Sequence, residues 1–188
     1  MVVSLWLCPP LGLPLTHPPT SSRSSLIGII DALATTNVLP NFDPHVTLIG
    51  DTGAATSVEE ATAQLLALKG AGPVAVEFTA ITHGEMEGGQ VPWSQSCVAL
   101  VRETPQLMEL HRRALCVFGG TNMDVLASQW SPPLGKPHLS LAYGNSPRVL
   151  ATLEVPPPFV ADSVALWSCE PGTLEGVASW REIARVPL

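Results

Sequence analysis

The chain has 188 residues, of which 46% are hydrophobic and 13% are charged. This length predicts a single domain over residues 1–188, and the composition excludes an intrinsically disordered protein, which needs low hydrophobicity and high charge. The formal net charge is −7, with only nine lysines and arginines. Proteins that grip a long polyanion carry a basic patch, so we expect no long nucleic acid as a partner.

The start of the chain is apolar, but it has no basic residues, and Pro9, Pro10 and Pro14 interrupt the hydrophobic run. We therefore expect neither a signal peptide nor a membrane span. The cysteines lie far apart, at Cys8, Cys97, Cys116 and Cys169. Without a C-x-x-C pair they favour buried reduced thiols in a cytoplasmic protein, and one disulfide is the alternative.

The first part of the chain is predicted to alternate strands and helices. The elements are a strand over 2–7, a helix from about 26 to Asn37, a strand over 44–49, a helix from Ser57 to Gly70, and a strand over 73–81. The first helix is indicated by apolar residues at helical spacing. In the second helix, Ser57 and Glu60 form a capping box, in which each side chain accepts a bond from the other residue's backbone N–H.

The second part of the chain repeats this order. The elements are a strand over 96–103, a helix from Pro105 to Phe118, a strand over 137–141, a short helix over 146–153, and strands near 155–169 and 177–185. We expect 96–103 to be the hairpin partner of 73–81. The order is thus β-α-β-α-β twice, with one extra strand, in halves of approximately 1–82 and 94–188.

A five-residue pattern occurs once in each half. Residues 44–48 read Pro-His-Val-Thr-Leu, and residues 137–141 read Pro-His-Leu-Ser-Leu. Because side chains alternate across a strand, His45 and Thr47 lie on one face. The same holds for the histidine and serine of the second copy. Two halves related by a pseudo-twofold axis would bring both histidines to one cleft, whereas the alternative is two ordinary strands with incidental histidines.

The doubled pattern suits chemistry at phosphorus. Two histidines with pKa values near neutral, His45 and His138, can act as base and acid in one turnover. The hydroxyls of Thr47 and Ser140 can donate hydrogen bonds to phosphate oxygens and stabilise growing charge. This set permits in-line displacement without a metal or other cofactor. A cyclic phosphodiester is a natural substrate, because its leaving group stays tethered.

The two motifs resemble the paired H-x-[ST]-x signatures of the 2H phosphoesterase superfamily. Within it, the chain is similar to the small fungal and plant cyclic phosphodiesterases. The opening Ser-Leu-Trp-Leu-Cys-Pro-Pro of residues 4–10 is similar to the fungal N-terminal strand, and residues 138–143 resemble the second motif with its trailing tyrosine. The resemblance implies an α+β fold of two duplicated halves, with antiparallel sheets facing a central cleft.

The resemblance also implies an activity and a set of site residues. Family members open ADP-ribose 1″,2″-cyclic phosphate and nucleoside 2′,3′-cyclic phosphates, the latter to 2′-phosphates, without metal. The implied site consists of His45 and His138 as acid and base, Thr47 and Ser140 at the phosphate, and Tyr143 and Trp6 at the nucleotide or ribose end. Which histidine is the base stays open, and Tyr143 reaches the site only if the strand bends near Gly144.

Other residues of the chain also carry groups that could serve a site, and two other functions are compatible with the motifs. His83 and Glu85 lie in a glycine-rich connection that favours a solvated loop over a metal site, and His111 is expected at the surface of its helix. Trp93 fits either core packing or a lid. An enzyme that processes RNA ends and a non-catalytic nucleotide-binding module are the alternative functions. We expect a cytoplasmic monomer whose partner is a small cyclic nucleotide, with no membrane association.

Overall fold

A computed structural model describes residues 2–11, 22–52, 57–84, 89–118, 130, 135–144 and 153–188. Its α-helices are α1 (Ser22–Asn37), α2 (Val58–Leu66) and α3 (Pro105–Phe118), and short 3₁₀ helices lie at Trp93–Gln95 and Val177–Ser179. Its strands are β1 (Val3–Cys8), β2 (Val46–Ile49), β3 (Val74–Val76), β4 (Phe78–Thr82), β5 (Cys97–Val101), β6 (His138–Ala142), β7 (Phe159–Ala161), β8 (Ser163–Ser168) and β9 (Arg181–Pro187). This mixture of helices and antiparallel strands confirms the predicted α+β class.

Seven strands form one sheet in the order β4-β5-β6-β2-β1-β8-β9. Its two parts, β4-β5-β6 and β2-β1-β8-β9, are joined by the antiparallel neighbours β2 and β6, through the pair Val46↔Leu139. The pairing exchanges strands between the two halves of the sequence, because β4 lies beside β5 and β8 lies beside β1. The motif strands are therefore next to each other at the centre of the sheet, and the halves 1–82 and 94–188 stay a prediction of sequence order.

The two faces of the central strands have different surroundings. Leu5 and Leu7 of β1 are fully buried in the main core, which also contains Leu26 of α1, Leu65 of α2 and Leu107 of α3. Trp6, which lies between Leu5 and Leu7, belongs to a smaller cluster on the opposite face, together with Cys8, Ala165, Trp167 and Cys169. The helices therefore support one face of the sheet and leave the other for an aromatic layer.

The prediction of one continuous strand over 73–81 is wrong, because this segment forms two strands that belong to two different sheets. β3 pairs with β7 in a separate two-stranded sheet, and β4 pairs with β5 as expected. The chain changes partner at Glu77, whose carbonyl accepts a hydrogen bond from the Arg102 amide at 2.8 Å. The predicted strand over 155–169 is likewise two strands, β7 and β8, on either side of Asp162.

The helix ends follow local capping. The Ser57 hydroxyl accepts the Glu60 amide at 3.1 Å, which is half of the predicted capping box. α2 ends at Leu66, four residues before the predicted end at Gly70. The helix predicted over 146–153 lies mainly outside the described residues.

No described helix has the length and apolar character needed to cross a membrane.

Candidate active site

Both motifs open onto one cavity of about 220 Å³. Val46 and Leu139, the central residues of the two motifs, are direct partners across β2 and β6, and each has a histidine before it and a hydroxyl residue after it. Directly opposed residues of an antiparallel pair have Cβ atoms about 4.5–5.5 Å apart. All four side chains line the cavity. The two histidines and the two hydroxyls therefore lie around one cavity.

The same local contact orients each histidine ring. Nδ1 of His45 lies 2.6 Å from the Asp43 carbonyl oxygen, and Nδ1 of His138 lies 2.8 Å from the Lys136 carbonyl oxygen. A carbonyl only accepts, so Nδ1 must carry the proton in both rings. In the neutral form Nε2 then has a free lone pair. The repeated proline thus separates each histidine from the carbonyl that sets its tautomer.

Burial depresses the basicity of both rings. His45 is 2% exposed, and its burial lowers its pKa from 6.5 to about 3, although the Asp43 carbonyl opposes this and the nearby His138 adds to it. Burial also lowers the pKa of His138, against the effect of the Lys136 carbonyl. The described residues that line the cavity include no lysine or arginine. Both rings are therefore mainly neutral at pH 7 in the free protein.

The two hydroxyls differ in their present contacts. Ser140 Oγ donates to the Ser94 carbonyl oxygen at 3.1 Å. Thr47 is half-buried, and no hydrogen bond to its hydroxyl is found among the described residues. Thr47 can thus meet a ligand without losing a bond, whereas Ser140 must first turn away from Ser94. Their predicted role at a phosphate stays a prediction.

Tyr143 enters the cavity because the alternation of β6 is interrupted before it: the pairing with β5 shifts between Val98↔Ser140 and Cys97↔Ala142, and Leu141 and Ala142 both belong to the main core. Its Oη lies 3.5 Å from Nε2 of His45, and burial raises its pKa, against the effect of a hydrogen bond with Ser140. The next residue, Gly144, has φ of +117°, a conformation that other residues rarely adopt. Its amide donates to the Trp93 carbonyl oxygen at 2.8 Å. The chain thus departs from a regular strand on both sides of Tyr143, and Tyr143 lies beside the histidines.

Trp6 also reaches the cavity, but its ring faces are occupied. It is 2% exposed, with His45 stacked at a centroid distance of 3.4 Å and Trp167 stacked at 4.3 Å. A ligand base thus has no free face of Trp6 to stack on. The predicted contact between Trp6 and substrate stays a prediction, and it is restricted to the edge of the indole.

Sequence reasoning missed part of the cavity wall. Trp180 is half-buried and lines it, and its indole N–H donates to the Pro171 carbonyl oxygen at 3.1 Å. Trp93 lines the same cavity, with its ring 6.3 Å from that of Trp180. No local motif marks Trp180, because only the pairing of β8 with β9 brings it near the histidines.

The other titratable candidates lie apart from this group. The expected surface position of His111 is wrong, because it is 5% exposed and stacks on Trp130 at 4.0 Å. His83 is half-buried and is not part of the cavity wall. Glu85 lies outside the described residues. Within the described ranges, no three histidines, cysteines or acidic residues are grouped so that they could hold a metal ion.

The cysteines are all free thiols, as favoured from the sequence. Cys8, Cys97 and Cys169 are buried, but Cys116 is exposed. Burial raises the pKa of each of the three buried thiols to about 12, which keeps them protonated at neutral pH. Cys169 lines the cavity, but as a neutral thiol it is a poor nucleophile.

Comparison with known proteins adds a family and a fold. A family model for cyclic phosphodiesterase-like proteins matches residues 1–154. The protein TT0787 of Thermus thermophilus has a TM-score of 0.61 at 15% identity, over 100% of this chain and 98% of that one. E. coli LigT complexed with 3′-AMP has a TM-score of 0.54 at 15% identity, over 100% and 97%. No curated protein matches the chain. These two structures show a shared fold, and the residues that the family model matches include both histidine motifs.

Proposed function

The chain belongs to the cyclic phosphodiesterase-like family of the 2H phosphoesterase superfamily, and we propose that it hydrolyses small cyclic phosphodiesters without a metal. The substrates are nucleoside 2′,3′-cyclic phosphates, opened to 2′-phosphates, and ADP-ribose 1″,2″-cyclic phosphate, opened to the 1″-phosphate. The observation that carries this proposal is the group of two imidazoles and two hydroxyls in one cavity. Each imidazole has Nδ1 bonded to the main chain and Nε2 available for proton transfer.

We assign His45 as the base and His138 as the acid. The Tyr143 hydroxyl lies 3.5 Å from Nε2 of His45 and can donate to it, which suits an unprotonated nitrogen. In the reaction, Nε2 of His45 takes a proton from water as the water oxygen bonds to phosphorus. The bond from phosphorus to the ribose 3′ oxygen breaks, and protonated His138 gives its Nε2 proton to that oxygen. One water is consumed, and the acid/base pair exchanges roles until protons re-equilibrate.

The charge of the cavity favours a diester over a monoester. A cyclic phosphodiester carries one negative charge, whereas its product monoester carries nearly two at neutral pH. The described wall residues supply one imidazolium, on His138 in the active form, and the hydroxyls of Thr47, Ser140 and Tyr143. One positive charge balances the substrate but leaves the product undercompensated. The monoester product is therefore expected to bind less tightly than its larger negative charge would imply for a site of matching positive charge.

The direct test is turnover of a nucleoside 2′,3′-cyclic phosphate by the metal-stripped full chain in excess chelator. We expect hydrolysis to a 2′-phosphate, identified by its phosphorus NMR signal. Comparing a mononucleotide with an oligonucleotide that ends in a cyclic phosphate separates this function from RNA-end processing. An absence of turnover, or turnover only after a divalent metal is restored, would exclude the proposal.

The lowered histidine pKa values predict an acidic activity optimum. One ring must be neutral and the other protonated, so kcat/KM is bounded by two apparent pKa values of the free enzyme. Because both lie below the ordinary 6.5, we expect kcat/KM to peak below pH 6.5. A profile from about pH 4 to 8 checks this, and a maximum at or above pH 7 would contradict it.

Stability should fall over the same acidic range. The folded-state pKa of His45 is lowered to about 3, so the unfolded chain binds a proton first as the pH falls. The free energy of unfolding is therefore greatest above pH 6.5 and decreases from there towards pH 3. Urea unfolding at each pH separates this loss from the change in kcat/KM.

A further inference from the structure

Trp6 is packed between two rings of the protein itself. Its indole is nearly parallel to the His45 imidazole, at an interplanar angle of 3°, and Trp167 covers its other face at 19°. The centroid distance to His45 is only 3.4 Å, so the two rings are in full van der Waals contact. The family model ends at residue 154, so the Trp167 that supports this stack lies beyond it.

Two hydrogen bonds fix the rotation of the indole in its plane. Trp6 Nε1–H donates to Ser4 Oγ at 2.7 Å, and Ser4 Oγ donates to the Ile49 carbonyl oxygen at 2.9 Å. Ile49 is the last residue of β2, the strand that follows His45. The indole is thus tied to the neighbouring strand four residues after the histidine on which it stacks. Ser4 is 3% exposed, so both bonds lie in a largely buried environment.

We infer that Trp6 is a positioning residue for His45, anchored by Ser4 and supported by Trp167, and that it does not serve as a platform for the substrate base. The Asp43 carbonyl fixes one edge of the imidazole and the indole fixes its plane, so together they leave Nε2 one direction into the cavity. This inference rests on the proposed function, because the direction of Nε2 matters only if His45 transfers a proton. A misplacement of about 1 Å costs up to about 100-fold in rate.

The arrangement also suits the charge that His45 acquires. When His45 takes a proton from water, its ring becomes a cation over the face of an indole, which attracts positive charge. Among the described residues, no carboxylate lines the cavity wall to stabilise that charge instead. Among the described residues no aromatic ring stacks on His138. The support is therefore specific to the ring assigned as base.

The test compares Trp6→Leu, Trp6→Phe and Ser4→Ala with a matched control, Trp130→Leu. Trp130 also stacks on a buried histidine, His111, at 4.0 Å, but it is not part of the cavity wall. We expect Trp6→Leu to lower kcat about 10- to 100-fold with KM within about twofold. Trp6→Phe keeps a ring against His45 and should recover most of this loss. Ser4→Ala should lower kcat about threefold to tenfold, and Trp130→Leu should leave kcat near the wild-type value.

Proton NMR of the His45 ring gives a readout that does not depend on turnover. The Trp6 ring current should shift the His45 ring protons upfield in the wild type and in Trp130→Leu, and this shift should be lost in Trp6→Leu. A wild-type kcat with a raised KM in Trp6→Leu would overturn the inference, as would equal losses of kcat in Trp6→Leu and Trp130→Leu. If Trp6→Leu does not fold, an unchanged kcat together with unchanged His45 ring-proton shifts in Ser4→Ala overturns it. Failure of the wild type to hydrolyse any cyclic phosphodiester refutes the proposed function instead, and the NMR shifts still test the stack.

Discussion

His45→Asn and His138→Asn are each expected to lower kcat about 10²- to 10⁴-fold, the usual contribution of one general acid or base. Asparagine keeps an N–H donor near the position of Nδ1, so the carbonyls of Asp43 and Lys136 retain a partner. It has no counterpart of Nε2. The loss should therefore be confined to proton transfer, and KM should change much less than kcat. Steady-state kinetics on a nucleoside 2′,3′-cyclic phosphate measure both constants.

His83→Asn is the matched control for these two variants. His83 has a comparable Nδ1 contact with the adjacent Gly84 carbonyl oxygen at 3.2 Å, but it does not line the cavity. It should retain full activity. Wild-type kcat in His45→Asn or His138→Asn, with an unchanged melting temperature, would contradict the acid/base assignment.

The pH profiles of the same variants separate base from acid. Protonation of the base causes activity to fall at low pH, and deprotonation of the acid causes it to fall at higher pH. If His45 is the base, the residual activity of His45→Asn should lose the acidic limb and keep the other. His138→Asn should show the reverse. The opposite pattern would exchange the two roles, and the doubled motif as a pair would remain.

The shared face of the histidine and the hydroxyl residue in each motif was predictable, because it depends only on the alternation of side chains along a strand. His45 and Thr47 share a face in any extended strand, as do His138 and Ser140. Their convergence was not predictable in detail, because it depends on β2 and β6 being direct neighbours. The sequence suggests two facing halves, whereas the sheet joins the motifs side by side at Val46↔Leu139.

Two misassignments show where local patterns were informative and where they were not. His111 lies four residues after Leu107 and three before Ala114, both fully buried, so the helical spacing itself indicated burial. The charged neighbours that follow it obscured that signal. By contrast, the alternation over 73–81 continues through Glu77 without interruption, and no local feature separates the strand that pairs with β7 from the strand that pairs with β5.

The aromatic layer depends on contacts that are remote in sequence. The presence of a tryptophan in β1 indicates neither which residues lie on the same face of the sheet nor which side chains cover its ring. The surroundings of Trp6 come from β8, which supplies Trp167, and from His45 before β2. The alternation of β1 places Trp6 on the face opposite Leu5 and Leu7. The ring on that face is nevertheless almost fully buried. Long-range strand pairing decided its role.

Thr47→Val is expected to lower kcat/KM about 10²- to 10³-fold, the cost of removing one donor aimed at developing charge. Valine keeps the branched shape and removes only the hydroxyl, so the strand and its neighbours should be preserved. Thr47→Ser is the matched control, because it returns the hydroxyl and loses only a methyl group. Kinetics on a nucleoside 2′,3′-cyclic phosphate, with melting temperatures alongside, measure the effect.

Ser140→Ala should cost less than Thr47→Val, and the difference follows from the contacts of the two hydroxyls. Ser140 Oγ donates to the Ser94 carbonyl oxygen, so a phosphate gains its hydrogen bond only at the loss of an existing one. Thr47 has no such competing bond among the described residues. The net contribution of Ser140 is the difference between its bond to the phosphate and its bond to the Ser94 carbonyl. The contribution of Thr47 is its entire bond to the phosphate. A hydrogen bond to a charged group is stronger than one to a neutral group. Equal losses in the two variants would show that Ser140 is already turned towards the substrate in the free enzyme, and full activity in Thr47→Val would remove Thr47 from the site.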